Sequence, residues 1–415
     1  MRLLPPKDQP KEGHPWRWVI IALIFSGTLI NYIDRQTVSV LAPVLCKDLH
    51  LSNTQYGAIG SFFLFTYALS MWLWGGVFDR IGNRLGYAFA ISIWSIAEIA
   101  HTTVRGLGSL SLVRGLLGLG EAGNWPGATR TVAAWFTPRQ RALGMGIANA
   151  GASIGPALAP PLIIALQLAY GWRVTFAAAG LLGFLWLIIW LPLYPKEAKI
   201  IIIEPQEAAV PWRTLFSHRA MWGIVIARFL GDPIWWLYLN WLPKYLSDVR
   251  HFSLQQIGAF AWVPFLFAAA GALFGGWFSG FLIDRGLSVN AARKIAITFA
   301  TLLLPAGIIG AWSNSPYVAL AWFSVTLFGF QFWVSNVQTL ASDFFPVGAV
   351  GSIAGFSGTA AGLGAMILTF LTGWVVDHFS YTPMLITAGI LGPASTLALF
   401  ILSGKIRKID ILPKA

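Results

Sequence analysis

The chain has 415 residues, of which 56% are hydrophobic and only 11% charged, with a formal net charge of +12. A water-soluble domain carries about 25% charged residues, so no soluble core could hide this much apolar sequence and lipid must be the solvent. The positive balance alone suggests nucleic acid, but the positive-inside rule explains it better, because the basic residues lie mostly in short loops between apolar runs. The single cysteine, Cys46, leaves neither an intramolecular disulfide framework nor a multi-cysteine metal site.

Residues 1–15 are polar and proline-rich. The apolar run that follows is longer than a signal-peptide core and has no small-residue cleavage site after it, so it is expected to stay as a membrane anchor. Runs of the length needed to cross a bilayer then predict twelve spans, at about 16–40, 54–77, 86–104, 109–129, 143–169, 175–194, 221–246, 255–283, 293–312, 317–341, 351–376 and 383–402. With both termini placed in the cytoplasm, nineteen Lys and Arg fall in inside segments and five in outside loops, while Arg35, Arg114, Arg130 and Arg228 lie within or beside spans. That asymmetry fixes the expected orientation.

The chain repeats itself. Gly75-Gly76-Val77-Phe78-Asp79-Arg80-Ile81-Gly82 after the second span is echoed by Gly280-Phe281-Leu282-Ile283-Asp284-Arg285-Gly286 after the eighth. Trp135-Phe136-Thr137-Pro138 is echoed by Phe344-Phe345-Pro346. The expectation is an all-α membrane protein of two six-helix bundles, 1–194 and 221–415, joined by a cytoplasmic linker at 195–220. Transporters built from paired halves bind substrate at the interface near the bilayer midplane.

Charges inside the spans carry the functional argument. The first span holds Asn31-Tyr32-Ile33-Asp34-Arg35 near its middle. A charge at that depth costs about 2.5–3.5 kcal/mol on insertion scales, so these side chains must be paired or line a wet cavity. Arg114 and Glu121 lie two turns apart on one face of the fourth span, too far for a direct pair, and are expected to meet groups on neighbouring helices. Two readings fit Asp34, Glu121 and Arg114: a static buried ion pair, or carboxyls that load and release a proton. The second is favoured because a buried pair gains little over apolar packing, while burial and a nearby guanidinium act in opposite senses on a carboxyl. Arg35 sits about 100° around the helix from Asp34. Its planar fork suits a substrate carboxylate; a second structural salt bridge is the alternative. Tyr32 and Tyr67 are candidate hydroxyl partners for the substrate, against the common role of such aromatics in packing or at the interface. Glu98 and His101, one turn apart, are expected to form a pair on the lipid side or at the lumen edge, without a metal role.

The second half is poorer in charge. Arg228 and Asp232 are spaced i, i+4 and are expected to bridge each other. Trp236 and Asn240 follow on the same face. Gln331, Asn336 and Gln338 in the tenth span, with Ser357 and Thr359 in the eleventh, can each donate and accept, which suits a polyhydroxylated ligand; interhelical hydrogen bonding fits them equally. Gly151-x-x-x-Gly155-Pro156 in the fifth span reads as a bend and a packing face. Gly118-x-Gly120-x-x-Gly123 lies within an apolar helix and lacks the preceding strand of a dinucleotide site.

These features resemble the major facilitator superfamily. Gly75-x-x-x-Asp79-Arg80-x-Gly82-x-Arg84 matches its hallmark loop, although in the second copy Gly286 comes one residue early and Arg293-Lys294 comes late. Within the superfamily the chain resembles the anion:cation symporters, on Asn31-Tyr32-Ile33-Asp34-Arg35, Arg114-Gly115-Leu116-Leu117-Gly118-Leu119-Gly120-Glu121-Ala122 and Trp135-Phe136-Thr137-Pro138-x-x-Arg141. The sugar-acid branch, hexuronate transporters in particular, is suggested by Gly231-Asp232-Pro233-Ile234-Trp235-Trp236 with Asn240 and Pro243-Lys244-Tyr245, and by Asn336-Val337-Gln338-Thr339-Leu340. The resemblance implies that the first and fourth helices adjoin, making Asp34 the natural neighbour of the charges on the fourth. It implies proton coupling through Asp34 and Glu121 with Arg114 as partner, substrate capture by Arg35 with Tyr67 and Tyr32 beside it, and a conformational latch at Gly75, Asp79, Arg80, Gly82 and Arg84. The expected protein is a monomeric proton symporter of the bacterial inner membrane, surrounded by lipid and carrying a small anionic carboxylate such as glucuronate or galacturonate. No cofactor, metal or enzymatic step is expected. The remaining alternatives are a symporter of another organic anion, an aldonate or aldarate, and a transporter-like sensor that binds ligand without flux. Export of cationic drugs is opposed by Arg35 and Arg114.

Overall fold

A computed structural model describes residues 15–136, 141–195 and 210–409. Within them the backbone forms helices and turns and no strand. In chain order the helices are α1 (Arg17–Val40), α2 (Ala42–Asp48), α3 (Asn53–Ala100), α4 (Leu107–Glu121), α5 (Asn124–Trp135), α6 (Arg141–Tyr170) and α7 (Trp172–Leu193). They continue with α8 (Trp212–Ser217), α9 (Arg219–Asp248), α10 (Leu254–Phe260), α11 (Val263–Asp284), α12 (Val289–Leu303), α13 (Ala306–Trp312), α14 (Pro316–Phe344), α15 (Val347–His378) and α16 (Thr382–Ser403). The segments expected at the two ends and in the 195–220 linker lie partly outside the described residues.

Local chemistry sets these boundaries. Ser52 with Gln55, and Ser253 with Gln256, form reciprocal capping boxes that start α3 and α10. Ser288 caps α12 alone. The expected second and third spans run together as α3, which turns at Gly82, where φ is 77°. A side chain is strained in that left-handed region and glycine is not. The expected fourth span is interrupted between α4 and α5, the eighth between α10 and α11, and the ninth at Pro305 between α12 and α13.

Eight helical stretches among the described residues are long and apolar enough to cross a membrane: 17–40, 143–170, 172–193, 254–284, 289–312, 316–344, 349–378 and 382–403. The other four expected spans fall on α3, on α4 with α5, and on α9. The radial pattern is that of a protein dissolved in lipid. Leu112 and Leu273 are 72% and 77% exposed, whereas Asp34, Glu98 and Glu121 are 0% exposed. Apolar side chains that face outward have nothing to gain from a core when the surroundings are hydrocarbon.

The chain divides into two compact units, Met1–Ile201 with Leu239–Trp262, and Ile202–Tyr238 with Val263–Ala415. The stretch 239–262 therefore packs with the first unit although the sequence places it in the second half. Within the first unit, Ser39 Oγ donates to the carbonyl of Leu239 at 2.6 Å, and the Tyr56 hydroxyl donates to that of Asn240 at 2.8 Å. Within the second unit, α14 lies against α11, α12 and α13.

Small residues bring the helices of the first unit close enough to share side chains. A Cβ at Gly120 would sit 2.6 Å from the Trp94 backbone nitrogen, so α4 rests directly on α3. A Cβ at Gly151 would sit 2.6 Å from the Phe25 carbonyl oxygen, which makes the expected packing face of α6 the one that meets α1. Both obstacles are backbone atoms and cannot rotate away. Gly151→Val is expected to lower stability by about 1–3 kcal/mol through overpacking, read as a lower thermal midpoint in detergent, whereas Gly276→Ala, where a Cβ meets nothing, leaves the midpoint in place.

Candidate functional site

The half-turn of α1 that carries Asn31, Tyr32, Asp34 and Arg35 meets α3 and α4 inside the first unit. Arg35 Nε and Nη2 donate to Glu121 Oε2 at 3.0 and 2.8 Å, and Nη2 also donates to Asn31 Oδ1 at 3.4 Å. Both strong bonds go to one carboxylate oxygen. Glu121 Oε1 has no hydrogen-bond partner among the described residues. The Arg35 guanidinium is walled by aromatic faces, 4.7 Å from the ring of Tyr32, 4.8 Å from that of Tyr67 and 5.4 Å from that of Phe63. A cation over a ring is attracted by the ring's negative face, most strongly where water is excluded. Tyr67 is buried and its ring stacks on Phe63 at 5.9 Å, while Tyr32 is half-buried.

Asp34 takes a different direction from the same helix. Both of its oxygens lack a hydrogen-bond partner among the described residues, and its charged neighbours are Glu98 of α3 and Glu121 of α4. The partnership expected between Asp34 and the helix-four charges is thus redistributed: Glu121 is held by Arg35, and Asp34 makes no hydrogen bond to Arg114. The reason is angular. Successive residues point about 100° apart on a helix, so Arg35 faces the last turn of α4 while Asp34 faces the arm of α3 that carries Glu98. Arg114 lies 4.3 Å from the Phe63 ring, with Glu121, Glu98 and Tyr56 as electrostatic neighbours and with Nε and Nη1 unbonded among the described residues. One ring, Phe63, therefore meets both guanidiniums.

Glu98 and His101 are not at a lipid edge. Both are 0% exposed, His101 Nδ1 bonds the Ala97 carbonyl at 2.8 Å, and its ring stacks on Phe176 at 4.5 Å. The expected lipid-side or lumen-edge pair is corrected: the face of α3 that carries Glu98, and His101 just beyond its end, turn inward. The sequence reading also missed Phe63 and Asn31, although each lies four residues from a chosen partner, Tyr67 and Arg35, and so on the same helical face.

In the second unit Arg228 Nε and Nη2 donate to Asp232 Oδ2 at 3.2 and 2.8 Å, the expected local bridge, and Nη1 reaches Ser357 Oγ on α15 at 3.3 Å. Trp236 and Gln331 are half-buried, and Gln338 and Thr359 are exposed, Thr359 donating to the Gly355 carbonyl at 3.2 Å. Asn336 is apart from these. Its amide donates to the carbonyls of Gly275 and Phe332 at 3.0 and 3.1 Å, and its oxygen accepts from Arg293 Nη1 at 3.3 Å. Arg293 in turn bridges to Asp343 at 2.9 Å and donates to Ser279 at 2.7 Å. Asn336 is a structural tie between α14, α11 and α12. Gln331 and Gln338, seven residues apart, share a face from which residue 336 is rotated by about 140°. Asn240 is half-buried and packs with the first unit through its carbonyl, which accepts from Tyr56 and Ser39.

The hallmark loop is tied down inside the first unit. Arg84 Nε and Nη2 donate to the Leu191 carbonyl at 3.1 and 2.7 Å, and Trp190 Nε1 donates back to the Arg84 carbonyl at 3.0 Å. A guanidinium on the last carbonyls of α7 satisfies groups that a helix end leaves open. Gly75 is half-buried, Gly82 supplies the turn, Arg80 is exposed, and the side chain of Asp79 lies outside the described residues.

A profile of the Major Facilitator Superfamily matches residues 24–369. The chain belongs to the major facilitator superfamily. It is 32% identical to the hexuronate transporter of Escherichia coli strain K12 over 89% of each chain. It is 32% identical to the galacturonate transporter of Dickeya chrysanthemi over 74% of this chain and 94% of that one. Its fold is similar to that of a bacterial homologue of the human lysosomal transporter Spinster, a structure solved in an inward-facing and occupied conformation, with a TM-score of 0.77 at 18% identity, covering 95% of this chain and 98% of that one. The transporter is thus a multi-pass membrane protein, and its work is transport rather than catalysis of a chemical step. Within it, Asn336→Ala is expected to cost about 1–3 kcal/mol, because it removes the bond to the Gly275 carbonyl and the acceptor of one Arg293 Nη1 bond from a buried site. Thermal unfolding in detergent checks this against Gln338→Ala, which should shift the midpoint little.

Proposed function

We propose that the chain is a proton-coupled symporter that imports a sugar-acid anion, a hexuronate such as glucuronate or galacturonate, by alternating access across the bacterial inner membrane, with both termini in the cytoplasm. The observation that carries this reading is the contact between Arg35 and Glu121. A buried guanidinium that is already bonded to an internal carboxylate can accept a substrate carboxylate only if the internal one gives way. Protonation of Glu121 removes its charge and weakens both bonds from Arg35, since charge-assisted hydrogen bonds are about twice as strong as neutral ones. The substrate carboxylate then takes over the Arg35 fork, with Tyr32 and Tyr67 as its hydroxyl partners. Loss of the proton on the cytoplasmic side restores the Arg35–Glu121 bond and expels the anion. Arg114 holds a second positive charge beside the site. Trp236, Asn240, Gln331, Gln338, Ser357 and Thr359 are the groups of the second half of the chain assigned to the sugar hydroxyls, while Asn336 is held in its structural tie and Arg228 and Asp232 in their local bridge. Domains 1–194 and 221–415 are taken as the halves that rock, with the Gly75–Arg84 loop as the latch and the monomer as the working unit.

The relatives support the substrate class. Besides the two hexuronate carriers, the D-galactonate transporter of Escherichia coli O6:H1 is 27% identical over 97% of this chain and 99% of that one. An aldonate is therefore the second reading, and a competition panel of hexuronates, aldonates and aldarates separates the two.

The decisive experiment is uptake of labelled glucuronate or galacturonate into proteoliposomes with an imposed gradient, acidic outside. Accumulation is expected to rise with the gradient, and uptake indifferent to it would reject proton coupling. Glu121→Gln, which fixes the neutral form at that position, is expected to lose gradient-driven accumulation far more than it loses substrate exchange between the two sides. Arg35→Lys is expected to lose both, because an ammonium does not reproduce the guanidinium fork.

A further inference from the structure

Away from the transport site, the ends of α9, α14 and α16 in the second unit enclose a cavity of about 290 Å3. Its charged wall is entirely basic among the described residues: His218 just before α9, Arg219 at the first position of α9, and Lys405 and Arg407 in the segment after α16. Arg219, Lys405 and Arg407 are exposed, and none of them has an ion pair or a side-chain hydrogen bond among the described residues. Three positive charges and an imidazole around one space repel one another unless an anion stands between them.

The groups are held in place. The Ile406 N–H donates to Asn290 Oδ1 at 2.8 Å, the Ile409 N–H to the Phe344 carbonyl at 2.7 Å, and Lys408 Nζ to the Phe345 carbonyl at 2.9 Å. The segment after α16 is thereby tied to α12 and to the end of α14. Ile406 is buried and Lys408 is engaged with a carbonyl, while Lys405 and Arg407 on either side of Ile406 border the cavity. A Cβ at Gly223 would lie 3.3 Å from the Leu399 carbonyl oxygen and the Ser403 nitrogen, so the first turns of α9 rest on the last turns of α16. The first N–H groups of a helix have no partner within it and carry the positive end of its dipole, and the first turn of α9 holds no acid. Guanidiniums fork onto phosphate oxygens through parallel bonds, and a helix start is itself suited to phosphate. Beside the cavity, Trp212, Phe216 and Trp222 stack in sequence and are 46%, 37% and 39% exposed. Tryptophan collects at the level of lipid headgroups.

We propose that this cavity is a binding site for a phosphate-bearing anion, either the headgroup of an anionic phospholipid or a free phosphate, with the aromatic stack favouring the lipid. A phosphate held there bridges the start of α9 to the segment after α16. The orientation proposed above puts the site at the cytoplasmic leaflet, whose anionic lipids are drawn to basic pockets between helices. Binding itself does not depend on that orientation or on the transported substrate.

The full chain, purified and delipidated in neutral detergent, is titrated in separate arms with phosphatidylglycerol, phosphatidylcholine and inorganic phosphate. Native mass spectrometry counts bound lipid, and the thermal midpoint is read in every arm. Phosphatidylglycerol is expected to bind and to raise the midpoint, and phosphatidylcholine to do so far less. Arg219→Gln and Arg407→Gln are each expected to weaken phosphatidylglycerol binding about fivefold, the effect of one positive charge near an anionic headgroup. Both positions are exposed, so the lipid-free midpoints of the variants should match wild type. Arg285→Gln removes an exposed charge outside the cavity and should leave binding unchanged. A midpoint raised by inorganic phosphate, lost in the Arg219 and Arg407 variants and unmatched by phosphatidylglycerol, assigns the site to a soluble phosphate. The proposal is overturned if neither anion binds, if phosphatidylcholine binds as well as phosphatidylglycerol, or if binding is indifferent to both substitutions.

Discussion

The buried contact between Arg35 and Glu121 is the interaction on which the first unit depends. Neither residue could remain charged alone at this depth. The desolvation cost of each is offset only by the other, by Asn31, and by three aromatic faces that attract the guanidinium without competing for its hydrogens. The contact requires α1 and α4 to approach within side-chain reach, with α4 packed on α3 and α1 packed on α6 and α7. Glycine supplies that proximity. Gly118 and Gly120 place α4 against the two arms of α3, and Gly151 and Gly155 seat α6 on α1. Electrostatics at the centre and van der Waals packing at the helix crossings are therefore one problem. Backbones held apart by a side chain would leave both charges without partners.

Polar chemistry is distributed unevenly between the units. The first buries Asp34, Glu98, Glu121, Arg35 and Arg114, with one more acid than base among them. The second divides its polar groups into a balanced Arg228–Asp232 pair extended to Ser357, and a separate lattice of Arg293, Asp343, Ser279 and Asn336. A balanced pair is electrically quiet, and removing either partner leaves an uncompensated charge. An unbalanced cluster changes its charge with each proton gained or lost. In the proposed mechanism that contrast assigns the response to protons to the first unit, and to the second the hydroxyls and amides, such as Gln331, whose state does not vary.

Much of this was legible in the sequence, and the failures have a common cause. Apolar run length predicted twelve spans, eight of which are helices long and apolar enough to cross a membrane among the described residues. The cost of intramembrane charge singled out Asp34, Arg35, Arg114 and Glu121, all of which are buried. Residue spacing also gave the Arg228–Asp232 bridge, because i, i+4 partners on one helix need no tertiary information. Pairing between helices was not legible. Whether Arg35 or Asp34 meets Glu121 depends on a rotation of about 100° about α1, which composition and periodicity do not determine. Glu98 was misplaced for the same reason. A carboxyl in an apolar run faces either lipid or core, and the sequence alone offers no reference for which side of α3 is which. Its one available signal was energetic: an acid and a histidine one turn apart have no favourable position against hydrocarbon. Asn336 stood out as an amide in an apolar helix, but that type of residue serves interhelical ties and ligand contacts alike, and only the positions of Gly275 and Arg293 distinguish them.

The geometry bears on how a coupled carrier avoids leaking. If Arg35 were unengaged in the absence of substrate, an anion could bind and cross with no proton, and the gradient would do no work. With Glu121 occupying the guanidinium, the deprotonated empty site already contains its own anion, so a substrate carboxylate meets a filled position and a like charge. Entry is favoured only after a proton has cancelled that charge. Coupling in the proposed mechanism is thus a consequence of mutual exclusion at a single fork, and needs no signal transmitted over a distance.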